Sequence, residues 1–297
     1  MFKAIKSCLV PNPLDRFLKK SFKEGKSSFL VYWNRGLGDI PLGLYALCHR
    51  IRKKIPEARI VFLTRVDLAE AFTMLEDIEV IVDQKMQRGK VYDLKQAPIA
   101  IGDFDRVIEK VPNKWIEWQL GKLIPKLKWN PTWDQLVNRF GLGNDKNALG
   151  VHVSSETSAY YGYEKNWSAR SFQALFDRIA EETGQKILLF GMKKEIKFSG
   201  NHLLDLRGDT TLFEMLSLIK NCCSHLLAPD SGVLSVTYYI DALFPLKVVS
   251  LWADPRQGIL RQKVVSPNGQ LTHIPLIGAK ECVENISIEQ VFKSLYG

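Results

Sequence analysis

Phe29-Leu30-Val31-Tyr32-Trp33-Asn34-Arg35-Gly36-Leu37-Gly38-Asp39, running into Ile40 to Lys54 with apolar residues at helical spacing, decides the fold. Five apolar residues in succession read as a strand covered on both faces, which is the habit of parallel sheets. A glycine loop then turns the chain into a helix. Strand, glycine loop and helix form the first unit of a nucleotide-binding type fold.

Working outward, Pro56 stops that helix, Arg59–Leu63 reads as a second strand, residues 67–76 as a helix and Ile78–Val82 as a third strand. This alternation predicts a parallel sheet with right-handed crossovers. Gly141-Leu142-Gly143-Asn144-Asp145-Lys146-Asn147 is the best linker. Beyond it a second rhythm begins: strand Leu149–Val153, helix Ser168–Thr183 capped by Ser168, and strands Lys186–Phe190 and Leu203–Leu206. Helix Thr211–Lys220, strand His225–Ala228, helix Val233–Ile240, strand Val248–Trp252 and closing helix Ser287–Leu295 complete it. The expected architecture is α/β, with two Rossmann-like lobes facing a central cleft. A basic segment spans 1–26, one lobe 27–143 and the other 147–297, with the last helix a candidate to pack back on the first lobe.

The chain has 297 residues, 46% hydrophobic and 25% charged, as in ordinary globular proteins. No uncharged apolar run is long enough for a membrane-spanning helix, and the first 26 residues lack the pattern of a secretion signal. Five cysteines without C-x-x-C or Cys/His spacing read as reduced thiols in a cytoplasmic protein and support no metal site.

The net charge is +9, and residues 1–26 hold seven basic side chains against two acidic ones. That segment suits either an anionic membrane surface or solvent. Four of the seven tryptophans (Trp115, Trp118, Trp129, Trp133) lie among Lys110, Lys114, Lys122, Lys126 and Lys128. They read either as a helical pair packing its rings inward or as an interfacial surface. The high pI alone, without a nucleic-acid-binding module, predicts no nucleic-acid partner.

Two stretches can carry chemistry. In Arg35-Gly36-Leu37-Gly38-Asp39 a dinucleotide fingerprint fails, because Pro41 stands where a third glycine belongs and Thr64-Arg65 where the ribose-binding acid belongs. What remains is Asp39 at a helix N-terminus, either a plain N-cap or a general base. In Ala228-Pro229-Asp230-Ser231-Gly232-Val233-Leu234-Ser235 a tight turn at a strand end opens a helix and offers backbone N–H groups to an anion.

These residues, taken in order, resemble the family 9 glycosyltransferases, the bacterial lipopolysaccharide heptosyltransferases. The first-lobe matches are Gly36-Leu37-Gly38-Asp39, Ile55-Pro56-Glu57-Ala58 and Leu63-Thr64-Arg65. The second-lobe matches are Lys165-Asn166-Trp167, Phe190-Gly191 with Glu195, Leu204 to Gly208 with Thr210 to Glu214, and Asp230-Ser231-Gly232.

The resemblance implies a GT-B fold and a cytoplasmic enzyme at the inner face of the membrane. It implies inverting transfer of a heptose-like sugar from a nucleotide donor, ADP-linked, to a lipid-linked or cell-surface glycan, without metal or other cofactor. Carried over by position, Asp39 is the base, Lys165 holds the diphosphate, Glu195 meets the nucleoside, and Asp230, Ser231 and Gly232 form the donor turn. Arg35, Gly36 and Gly38 belong to the loop beside the base.

The chain departs from the family at Ser235, where a histidine is usual, and at Trp252-Ala253-Asp254-Pro255-Arg256, where a glycine-proline-threonine loop is usual. Arg256 is a candidate replacement for the missing positive charge. Tyr163, in Tyr160-Tyr161-Gly162-Tyr163, and His152 are further candidates for the site. The departures leave two alternatives beside the family reaction: an enzyme with an altered donor, or a non-catalytic GT-B relic that binds a glycan or protein partner.

Overall fold

The computed structural model describes residues 12–142, 146–155 and 164–297. Tyr163 lies outside them. The chain divides into two compact units, one reaching to Pro125 and including Gln262–Val264, the other Lys126–Arg261 with Val265–Gly297.

The first unit begins with α1 (Pro13–Lys23). Pro13 opens this helix, since a first-turn residue needs no N–H partner, and the Asn12 side chain caps it by accepting from Leu14 N at 2.8 Å. Leu14 and Leu18 are fully buried, and Phe17 stacks on Trp115 with ring centroids 5.0 Å apart. Residues 12–26 of the basic segment therefore contribute a helix to this unit's packing, while Arg16, Lys19, Lys20 and Lys23 face solvent.

The elements that follow are β1 (Ser28–Trp33), α2 (Tyr45–Lys54), β2 (Arg59–Thr64), α3 (Val66–Phe72), β3 (Ile78–Val82), β4 (Arg106–Ile108) and α4 (Asn113–Ile116). The four strands are parallel in the order β3-β2-β1-β4. Phe29, Leu30 and Val31 are fully buried at the centre, as the unbroken apolar run required. Between β1 and α2 the chain makes a π turn, Ile40–Leu44, closed by Tyr45 N on Ile40 O.

The second unit runs β5 (Leu127–Lys128), β6 (Ala148–His152), α5 (Ala169–Glu182), β7 (Ile187–Phe190), β8 (Leu203–Asp205), α6 (Leu212–Cys222), β9 (Cys223–Pro229), α7 (Gly232–Tyr238), β10 (Ile240–Asp241), β11 (Leu246–Trp252), α8 (Gly258–Gln262), β12 (Leu271–Ile277) and α9 (Ile288–Tyr296). Its main sheet is parallel with the order β12-β11-β9-β6-β7-β8. Counted from β6, that is the doubly wound dinucleotide-fold order, whose ligand-binding switch point lies between β6 and β9.

Helices α5 and α9 share one face of this sheet: Phe172, Leu175, Phe176 and Ile179 join Val291 and Leu295 in a single core. The closing helix thus packs on its own unit, and Lys247 Nζ also donates to Leu295 O at 2.9 Å.

The division falls earlier than the glycine-rich break because the segment before that break is bound into the second unit. Trp133 stacks on Phe213 of α6 with centroids 3.7 Å apart, Ser217 Oγ donates to Trp133 O at 2.6 Å, and Lys220 pairs with Asp134 at 2.8 Å. The segment is 3-10 helix over Pro131–Phe140. None of the four tryptophans is exposed, whereas Lys110, Lys114, Lys122, Lys126 and Lys128 all are. The rings pack and the lysines are solvated. Among the described residues no helix is long and apolar enough to cross a membrane.

Candidate active site

In the first unit the chemistry gathers at the carboxyl end of β1. Asp39 sits in the capping position of the π turn but makes no capping bond with its side chain. Its Oδ2 instead accepts from Gly36 N at 3.1 Å, while Asp39 N donates back to Gly36 O at 3.2 Å. The carboxylate is turned toward the loop and away from the helix, which sets aside the plain N-cap.

Burial pushes the Asp39 carboxyl above its ordinary value, with the Gly36 amide, Arg35 and Arg88 pulling the other way. A carboxylate made more basic in this way is better suited to accept a proton. Arg35 is exposed, its guanidinium 5.5 Å from the Trp33 ring centroid. Neither Gly36 nor Gly38 has a positive φ. A Cβ on Gly36 would meet only ordinary contacts, Asp39 Oδ2 at 3.5 Å and Arg88 Nη2 at 3.9 Å. Gly36→Ala should therefore leave the folding stability within about 0.5 kcal/mol of the wild type, as thermal unfolding would show.

In the second unit the site forms where β9 ends. Asp230 and Lys165 are both buried, and Lys165 Nζ donates to Asp230 Oδ2 at 2.5 Å. Two anchors aim the lysine inward. Asn166 clips its own loop by accepting from Ser155 N at 2.6 Å, and Trp167 inserts into the core with Nε1 donating to Ile286 O at 3.1 Å. A Lys-Asn-Trp run thus places a cation between two pins.

Burial raises the Asp230 carboxyl above its usual range, Lys165 opposes this, and nearby Asp254 adds to it. Ser231 caps α7 through its Oγ, which accepts from Leu234 N at 3.2 Å. Gly232 is the first residue of that helix. Ser235 is buried and its hydroxyl donates to Ser231 O at 3.0 Å, so the position is spent on its own helix.

His152 ends β6, the other strand of the switch point, and its buried Nδ1 has no hydrogen-bond partner among the described residues. Burial lowers its pKa to about 4, so the ring is neutral near pH 7. Glu195 and Arg256 complete the candidates. Glu195 is on an exposed loop, 3.1 Å from Lys193 Nζ. Arg256 is 71% exposed and bridges Asp254 and Glu281, both at 2.7 Å, so its charge already answers two carboxylates.

Gly258 escaped the reading of the sequence. Its φ is +49°, and a Cβ there would lie 2.5 Å from Asp230 Oδ1 and 2.8 Å from the Trp252 ring. Only a glycine lets α8 approach the aspartate, and no spacing rule announces that. Gly258→Ala should cost about 1–3 kcal/mol and lower the melting temperature by several degrees; a wild-type melting curve would contradict the close approach.

No protein-family model matches the sequence, and no curated protein matches it. Solved structures do. ADP-heptose LPS heptosyltransferase II from E. coli superposes with a TM-score of 0.59 at 16% identity, over 90% of this chain and 97% of that one. A family 9 glycosyl transferase from Veillonella parvula superposes with a TM-score of 0.58 at 15% identity, over 90% and 95%. The chain has a GT-B type fold.

Within that fold the two clusters occupy equivalent places, each beyond the carboxyl end of the first strand of its own parallel sheet or of that strand's partner across the switch point. This is where open α/β sheets bind ligands. Arg207 is a further conspicuous charge that the fold uses structurally. Buried, it forks onto Asp205 at 2.8 and 2.7 Å and donates to Ile196 O at 2.7 Å, tying down the loop after β7. Thr211 and Glu214, in the same stretch, form a capping box at the start of α6.

Proposed function

We propose that the chain is a glycosyltransferase that moves a sugar from a nucleotide donor to an acceptor hydroxyl. The donor is read as an ADP-linked, heptose-like sugar, and the acceptor as a lipid-linked or cell-surface glycan at the inner face of the membrane. The observation that carries this reading is the buried Lys165–Asp230 pair on the strand-end turn of the second unit; Asp39 of the first unit, a carboxyl that burial makes more basic, is read as the base.

Asp39 removes the proton from the acceptor hydroxyl as its oxygen attacks the anomeric carbon. The bond to the nucleoside diphosphate breaks, and the configuration inverts. Lys165 answers the charge gathering on the leaving phosphate, helped by the amides of the Ser231–Gly232 turn. To do so the lysine exchanges one anion, the Asp230 carboxylate, for another. Neutral His152 offers a hydrogen bond at the same strand ends. The exposed lysines and arginine of α1 supply the attraction to anionic lipid.

Calorimetric titration with ADP, UDP and GDP tests the donor site. One of the three, ADP on this account, should bind to the wild type, and Asp230→Asn with Lys165→Gln should weaken it at least tenfold. Binding unaffected by those changes would move the donor elsewhere.

A second reading has its own observation. Ser235, buried with its hydroxyl proton given to Ser231 O, has no donor left for a sugar where the resembling family has an imidazole. A GT-B relic that binds a glycan or protein without turnover fits that position as well. Transfer from any nucleotide sugar that disappears in Asp39→Asn would exclude it.

A further inference from the structure

Asn34 follows β1 directly and is buried. Its amide nitrogen donates to two carbonyls of one loop, Gln87 O at 3.1 Å and Lys90 O at 2.8 Å. Its main-chain carbonyl accepts from Gly89 N at 3.3 Å and from Arg65 Nη1 at 3.2 Å. Three of these four bonds clasp residues 87–90, and Arg88 lies between the clasped points.

The rest of the loop is fixed at its base. Asp83 N donates to Thr64 O at 3.0 Å, Met86 is buried against Leu30, Val61 and Leu63, and Tyr92 donates to Asp83 while stacking on Tyr32. At the loop's tip, Arg88 Nη2 and Asp39 Oδ2 both lie within 4 Å of one point, the place a Cβ on Gly36 would take.

We propose that Asn34 is a positioning residue of the Asp39 site: by clasping the 87–90 loop it holds the Arg88 guanidinium beside the Asp39 carboxylate. The side chain suits the task. A primary amide presents two N–H groups, one for each carbonyl, where a carboxylate would repel both. Arg35 and Arg88 are the charges that act on Asp39, the first from its own loop and the second from the clasped one. Arg65, also bonded to Asn34, is forked onto Asp67 at 2.9 Å and is held by that partner.

The inference rests on the reading of Asp39 as the base only for its consequence, since an arginine kept beside the carboxylate sets the pH below which the base is lost. The linkage itself needs no substrate.

The test is a carbon-13 NMR titration of the aspartate carboxyls, the Asp39 signal being identified by its loss in Asp39→Asn. Arg88→Gln should raise the Asp39 midpoint by roughly half a pH unit or more, the effect of one nearby unit charge even at a water-like dielectric constant. Asn34→Ala should raise it in the same direction, and the double variant should add nothing to Arg88→Gln alone. Gln87 and Lys90 are exposed, so water can satisfy the freed carbonyls and Asn34→Ala should remain folded. The proposal is overturned if Arg88→Gln leaves the midpoint in place, if Asn34→Ala titrates as wild type, or if the two shifts add. Because no donor or acceptor enters the measurement, these outcomes stand apart from any failure to observe glycosyl transfer.

Discussion

Lys165→Ala should remove about 3–5 kcal/mol of folding stability, because it leaves the Asp230 carboxylate buried without its cation. The loss should depend on pH in a definite sense. Burial and Asp254 already hold the Asp230 carboxyl above its unfolded value, and removing Lys165 takes away the main influence pulling it down. A carboxyl raised in the folded state takes up a proton more readily there, so its penalty is full above the folded pKa. The penalty fades as pH falls through that value toward the ordinary carboxylate range. Denaturant unfolding of Lys165→Ala should therefore differ most from wild type near neutral pH and least near pH 4. Pairing Lys165→Met with Asp230→Leu should recover much of the deficit, since the charge and its partner then leave together. A deficit independent of pH would mean that the lysine matters for packing alone.

Asp39→Asn is expected to reverse the balance between stability and activity. The amide oxygen can keep the bond from Gly36 N, and no desolvated charge remains. Because burial raises the Asp39 carboxyl, the native protein carries a cost at neutral pH that the variant lacks, so the melting temperature should be unchanged or higher. Sugar transfer should fall by about 10²–10⁴-fold, the ordinary contribution of a positioned base. Preserved stability with lost turnover would mark Asp39 as chemical. Preserved turnover would remove it from the mechanism.

Much of the fold could be read from local pattern, and the exceptions have identifiable causes. Phe29 to Trp33 announced itself because a central parallel strand is covered on both faces and must be apolar throughout. β12 did not, because it is an edge strand carrying Thr272, His273 and Pro275, residues that an edge tolerates. For Trp129 and Trp133 the sequence left packing and an interfacial surface both open; their attachment to α6 is a long-range choice made by Phe213 and Lys220, so the unit boundary fell before the glycines.

The candidate site divides in the same way. Asp39, Lys165 and Asp230 stand next to turns with recognisable chemistry. Arg88 and Asn34 are joined through a loop without periodicity, and Gly258 matters only through its positive φ and the nearness of Asp230. Ser235 stood out in the sequence as a departure from the resembling family, and the structure gives its hydroxyl a partner in its own helix.

On the proposed function, the turn at Asp230 with Lys165 receives a nucleotide sugar's diphosphate. Crystals soaked with ADP-heptose test it most directly. Diphosphate density is expected at the 230–232 turn, with Lys165 Nζ within hydrogen-bond distance of a phosphate oxygen and no longer on Asp230. Density for the nucleotide at another place, with the Lys165–Asp230 pair intact, would contradict it.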